Sequence, residues 1–206
     1  MKTVAFVNQK GGVGKTSLAA SLAVAAQEAG ERVFVVDLDP QGSLMGWAGR
    51  RQADTPAVDR ITPDKLPAAL SALRVEGYTI IVIDTPGLDS AGTSVAMSLA
   101  DLCIIPARAS VLDIEASRST LAALSRLGRP YAFVLNCAPV GRTNRPLDAA
   151  RALTLMGVLS AVSIAMRSDH MDAIALGLGV TEFNTTGKAA DEIRQLWAWI
   201  VKRLGA

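Results

Sequence analysis

The chain is poor in the residues that build metal and redox centres. Its 206 residues include two cysteines and one histidine. Two cysteines cannot staple a disulfide scaffold, and the spacing from Cys103 to Cys137 matches no zinc-binding pattern. Both lie within or beside apolar runs and read as inert core residues. His170, in the polar stretch RSDHMD, reads as a surface or helix-start residue. No run of about 18 or more uncharged apolar residues is present, so no membrane-crossing helix is expected. A basic leader followed by an apolar stretch and a small-residue cleavage site is also missing. Internal repeats are not evident. Charge of one sign is scarce as well: 21 basic and 19 acidic side chains leave a net +2. That balance dictates no strong electrostatic partner, although a small basic excess after residue 128 leaves room for a local patch.

What is present is a chain able to fold. Half of its residues are hydrophobic and 19% are charged, the opposite of a disordered composition. The length suits one large domain, and residues 1–206 are read as one, in a soluble protein of a reducing compartment. Three apolar runs rich in Val and Ile, Thr3–Val7, Val33–Val36 and Thr79–Ile83, read as buried strands. Continuous apolar character suits strands covered on both faces, as in a parallel sheet. Leu102–Pro106, Tyr131–Leu135 and Leu159–Ile164 continue the series. Helical patterns cover residues 16–29, with Gly30 as the cap, and residues 111–127, 146–156 and 188–204. The polar segment from Arg50 to Pro63 reads as a surface connection into a short helix near 63–74. Alternating strands and helices predict an α/β fold: one doubly wound, mostly parallel sheet with helices on both faces.

The chemistry gathers at strand ends. Residues 8–17, NQKGGVGKTS, follow the first strand and open the first helix, the context a phosphate-binding loop requires. Gly11, Gly12, Val13 and Gly14 bring backbone N–H groups around an anion, and the helix N-terminus adds partial positive charge. Lys15 is placed to reach the β- and γ-phosphates. Thr16, with Ser17 beside it, is placed to ligate Mg²⁺. The second strand ends in DLDPQG, with Asp37 at its tip and Asp39 in the loop beyond. The third ends in IIVIDTPG, which sets Asp84 to hold the magnesium shell through water, since Mg²⁺ dehydrates reluctantly. Asn136 ends the strand YAFVLN, and its amide offers the donor and acceptor that an adenine edge needs.

The loop departs from the common pattern: Gln9 stands where the first glycine belongs, and Lys10 precedes the glycines. KGGVGKT resembles the deviant Walker A motif of the ParA/MinD family of ATPases, and the resemblance runs nearly end to end. It implies a P-loop NTPase fold, ATP and Mg²⁺ as cofactors, and an ATP-dependent homodimer in which Lys10 reaches the partner's nucleotide. It implies that Asp39 positions the attacking water and can meet the metal through water, so that Lys10, Lys15 and Asp39 form the catalytic set. PARASVLDIEA, residues 106–116, is similar to the family's segment at the dimer face, with Ala109 in place of a proline and Asp113 kept. N-capping by Ser110 is the simpler account of that segment.

The resemblance is strongest to short ParA proteins. With Met1 almost on the first strand, no DNA-reading domain is expected ahead of it. The implied activity is partition or positioning of a plasmid, chromosome or protein assembly. It would run through non-specific nucleoid DNA binding in the cytoplasm and a ParB-like or cargo-adaptor protein that stimulates hydrolysis. Candidate DNA contacts are Arg167, Arg194, Lys202 and Arg203, with Arg142 and Arg145 as further cations. Two alternatives stay open. One is a MinD-like membrane switch using the stripe Ile193, Leu196, Trp197, Ile200, Val201 and Leu204, although packing of that stripe on the sheet is the expected outcome. The other is a metabolic or metal-assembly ATPase on the same scaffold.

Overall fold

In the computed structural model, which describes residues 1–205, six strands form one parallel sheet. They are Lys2–Phe6 (β1), Val33–Asp37 (β2), Ala57–Arg60 (β3), Ile80–Asp84 (β4), Leu102–Ala107 (β5) and Tyr131–Leu135 (β6), ordered β3-β2-β4-β1-β5-β6. Every pairing between these strands is parallel. The central strands β1, β4 and β5 are almost wholly buried, which is why they read as unbroken Val and Ile runs.

Nine α-helices cover the sheet among the described residues. They are Lys15–Glu28 (α1), Ser43–Ala48 (α2), Leu66–Val75 (α3), Ala91–Leu99 (α4), Val111–Leu127 (α5), Arg145–Met156 (α6), Ser168–Ala175 (α7), Val180–Phe183 (α8) and Lys188–Gly205 (α9). Two cores result, one per face. Side chains of α1, α2, α7, α8 and α9 pack with Val4, Phe6, Val35, Val82 and Ile104 on one side. Those of α3, α4, α5 and α6 pack with Ala5, Val36, Ile81, Ile83 and Phe133 on the other. Alternate residues of each strand feed opposite cores, as the two-residue strand repeat demands. Helix α1 is buried over Leu18–Ala26, so its Ala-rich sequence needs no polar face.

Two expectations are corrected. Residues 50–63 are not only a surface connection: Ala57–Arg60 adds β3 as an edge strand on β2. Four residues ending in Asp59 and Arg60, half exposed, carry too little apolar pattern to announce a strand. Conversely, Leu159–Ile164 is not a sixth core strand. Leu159 bridges Phe133 and Ala165 bridges Ala138, but the stretch between leaves the ladder. There the Ser160 hydroxyl accepts the Val162 N–H, a local turn that competes with strand pairing. The α9 stripe packs inward as expected: Ile193, Leu196, Trp197, Ile200 and Leu204 are buried, and Val201 alone of the six is exposed. No described helix is long and apolar enough to cross a membrane.

Candidate functional site

Register sets the site. Asp84 lies level with Phe6 on one side and with Asp37 on the other, so β1, β2 and β4 end together. The loops beyond those ends open a cleft of about 870 Å³. Its walls include Gly11, Gly12, Gly14, Lys15, Thr16, Ser17, Asp39 and Asn136. That volume falls in the range of small-ligand sites, at the strand C-termini where doubly wound sheets bind ligands.

The glycine loop fits its surroundings closely. Gly14 sits at φ +90°, and a Cβ there would collide with the Asn136 amide nitrogen. Gly87, in the loop after β4, would place a Cβ 2.7 Å from the Gly11 Cα. The two loops therefore touch backbone to backbone, and any change in one is felt by the other. The Arg108 guanidinium also donates to the Gly12 carbonyl.

Lys15 is buried, and its Nζ donates to the carbonyls of Asn8 at 3.2 Å and Lys10 at 3.1 Å. An ammonium has three donors, so one remains for an anion. Burial pushes its pKa down, while Asp84 and Asp39 pull it back. The Thr16 hydroxyl donates to Asp84 Oδ2 at 2.6 Å. Asp84 Oδ1 is buried without a partner. Desolvation pushes Asp84 up to about 7, against the pull of the Thr16 hydroxyl. A buried carboxylate with a spare oxygen beside a hydroxyl suits a hard divalent cation that brings its own waters. Among the described residues no group of three or more His, Cys, Asp or Glu forms an all-protein metal cage. Magnesium shared with phosphate oxygens needs none.

Asp37 supports rather than faces the cleft. Its two carboxylate oxygens accept the N–H groups of Asp39 at 2.9 Å and Met45 at 3.1 Å, tying the Asp39 loop to α2. Burial raises its pKa. Helix α2 is in turn strapped to the α7–α8 region. Trp47 Nε1 donates to the Leu178 carbonyl, and Arg51 pairs with Glu182 at 2.9 Å. Asp39 itself lines the cleft beside Gln41 and Ser43.

Several expected residues do something further. Lys10 stays within its own chain here: its Nζ lies 2.5 Å from Asp113 at the start of α5. Ser110 occupies the α5 cap position, but its side chain makes no capping bond. Asn136 stands in the cleft wall, where its amide donates to the Val13 carbonyl at 2.7 Å and so braces the loop. Cys103 is buried, with its thiol pushed up to about 12, whereas Cys137 is not a core residue: it lines the cleft, half-buried, at φ 49°. His170 also lines the cleft, with its Nε2 buried and unpartnered.

Of the proposed DNA cations, Arg167, Arg194 and Arg203 are engaged, while Arg142 and Arg145 are exposed. Arg167 donates twice to Glu192, the shorter contact 2.6 Å. Arg194 donates to the carbonyls of Thr185 and Thr181. Arg203 stacks over Trp199, and Lys202 is exposed.

Sequence reasoning missed Arg108 and the inner face of α5. Along that face Thr120 accepts the Gln9 N–H at 3.1 Å, and Ser117 accepts from Asn8 at 3.3 Å. Polar residues at helical spacing on a buried face were the available signal.

The profile of the CobQ/CobB/MinD/ParA nucleotide binding domain matches residues 4–193. Maintenance of carboxysome distribution protein A from Gloeobacter kilaueensis is 35% identical over 93% of this chain and 88% of its own length. The protein of the same name from Halothiobacillus neapolitanus is 31% identical, covering 94% of both. Among solved structures, the Pyrococcus furiosus cell division ATPase MinD superposes with a TM-score of 0.82 at 22% identity, over 98% of this chain and 99% of that one. That likeness establishes the same P-loop fold.

Proposed function

Because the chain belongs to the CobQ/CobB/MinD/ParA nucleotide-binding domain family, we propose that it is a ParA-type positioning ATPase. In this reading residues 1–206 act as one domain that binds Mg·ATP, pairs with a second copy, holds nucleoid DNA without sequence preference and releases it on hydrolysis. The observation that carries the nucleotide chemistry is the cleft itself, with Lys15 in the glycine loop and Thr16 on Asp84. The end-to-end likeness to two proteins named for carboxysome distribution favours a protein assembly over a plasmid or chromosome as cargo. A cargo-adaptor protein would stimulate hydrolysis.

The roles follow from position. Loop N–H groups and Lys15 bind and orient the β- and γ-phosphates. Thr16 and, through water, Asp84 would hold Mg²⁺, which when bound supplies charge neutralisation on the phosphate oxygens. Asp39, on a loop fixed by Asp37, orients the attacking water. Lys10, after leaving Asp113, supplies a second cation to the partner's nucleotide. Asn136, in the cleft wall, would hold the base through its amide. Catalysis is positioning plus electrostatics, with no covalent work by the protein. The membrane-switch reading loses support, since the stripe it needs is packed into a core.

The test is hydrolysis and DNA binding by the purified chain. Slow Mg·ATP turnover, with random-sequence duplex bound in ATP and not in ADP, is the expected result. Absence of both activities in every nucleotide state would overturn the proposal.

A further inference from the structure

A group of unpaired cations lies on the α5–α6 side of the sheet, and two of them, Arg142 and Arg145, are among those the sequence nominated. From the start of α5, residues 111–166 contain six arginines, no lysine and three acids, of which Asp113 is buried and paired with Lys10. That stretch carries a net +3 while the whole chain carries +2, so the remainder is slightly negative. Arg118, Arg126, Arg129, Arg142, Arg145 and Arg151 are all exposed. Among the described residues only Arg151 has an ionic partner, Asp148 at a long 3.6 Å, and the guanidinium groups of the other five make no hydrogen bond. On the opposite layer, residues 167–206 balance five basic against five acidic side chains, and Arg167 is spent on Glu192.

We infer that duplex DNA is held by these exposed arginines of α5, α6 and the loops that flank them. The inference rests on the DNA-gripping reading above and places its contact surface. Arginine forks match phosphate oxygens two at a time, and six of them need no base contacts to bind a polyanion. Arg118 and Arg126 lie eight residues apart on α5, roughly 12 Å along its axis. A duplex presents about one phosphate per 1.7 Å, so several fall within that span.

The face also has a route to the nucleotide. The same α5 holds residues 8–10 through Ser117, Thr120 and Asp113 on its inner side. Movement of Lys10 into a partner's site therefore alters the helix that carries the arginines. Leu147 and Leu155 are exposed on α6, but neither is an aromatic anchor of the kind that seats a helix in lipid.

The test compares two triple variants in random-duplex binding with Mg·ATP across a salt series. Arg118→Ala/Arg126→Ala/Arg129→Ala removes three cations from the proposed face. Arg194→Ala/Lys202→Ala/Arg203→Ala removes three from the opposite layer. The first should weaken binding about tenfold or more and lower the salt slope by roughly 2.7 per engaged protomer, with thermal midpoint and basal hydrolysis unchanged. The second should change affinity less than about twofold. A matching Arg→Lys triple should keep most of the slope, which separates charge from folding damage. Loss in the second variant and not the first would overturn the placement and leave the DNA reading standing. No duplex binding by the unaltered protein in any nucleotide state would overturn both. Binding only to anionic vesicles, lost in the first variant, would assign the face to a membrane and overturn the inference.

Discussion

Asp84 is fully buried, and its Oδ1 has no partner. Its folded pKa, about 7, lies above the ordinary 3.8, so folding takes up a proton between those values. The stability this group contributes is full below about pH 4 and is lost as pH rises through about 7. The shift corresponds to something on the order of 4 kcal/mol. In magnesium-free, nucleotide-free protein the thermal midpoint should therefore fall between pH 5 and pH 8. Asp84→Asn should flatten most of that slope and raise the midpoint at pH 8; an unchanged slope would count against the assignment. At Lys10 the pair with Asp113 competes with any reach toward a partner. Lys10→Ala should keep nucleotide affinity within a few-fold and abolish hydrolysis in a single-turnover assay. Asp113→Asn should raise turnover severalfold, whereas a drop would mean that Asp113 aims Lys10 productively.

Helix α9 shows how one element can be read two ways. Its apolar stripe with terminal Lys202 and Arg203 fits a membrane surface, yet the sheet uses the stripe. Ile200→Ala should cost about 2–5 kcal/mol in denaturant unfolding, as for any core truncation. Val201→Ser, one residue on and 44% exposed, should stay within about 0.5 kcal/mol. Equal small effects would mean that the stripe is not core. Helix α5 is the converse case. Its sequence announced a helix over 111–127, and those are its bounds. Which of its polar residues face the loop was decided by packing against β5 and the chain after β1. Ser117, Thr120 and Asp113 are ordinary helix residues until Asn8, Gln9 and Lys10 arrive beside them.

At the scale of the whole molecule, the cleft joins segments that are far apart in the chain, so its ligand should stabilise the fold globally. Mg·ATP at about a hundredfold over its Kd should add roughly 2.7 kcal/mol. Calorimetry should show the midpoint rise, and Lys15→Ala should lose it. A rise preserved in that variant would contradict the role of the phosphate loop.

Five of the six strands, the glycine loop and the placing of Lys15, Thr16 and Asp84 beside it were legible in the sequence. These features rest on local chemistry: apolar runs buried on both faces, glycines that permit a tight turn, and polar groups placed directly at strand ends. The edge strand β3 was not legible, because its pairing to β2 supplies what its composition lacks. Nor could sequence tell that Leu159–Ile164 leaves the ladder, that Asn136 braces Val13, or that Lys10 rests on Asp113. Charge followed the same rule. Counting gave the number of arginines, but only the fold paired Arg167 with Glu192 and left Arg118, Arg126 and Arg129 free, because ion pairing depends on distance in space and not along the chain.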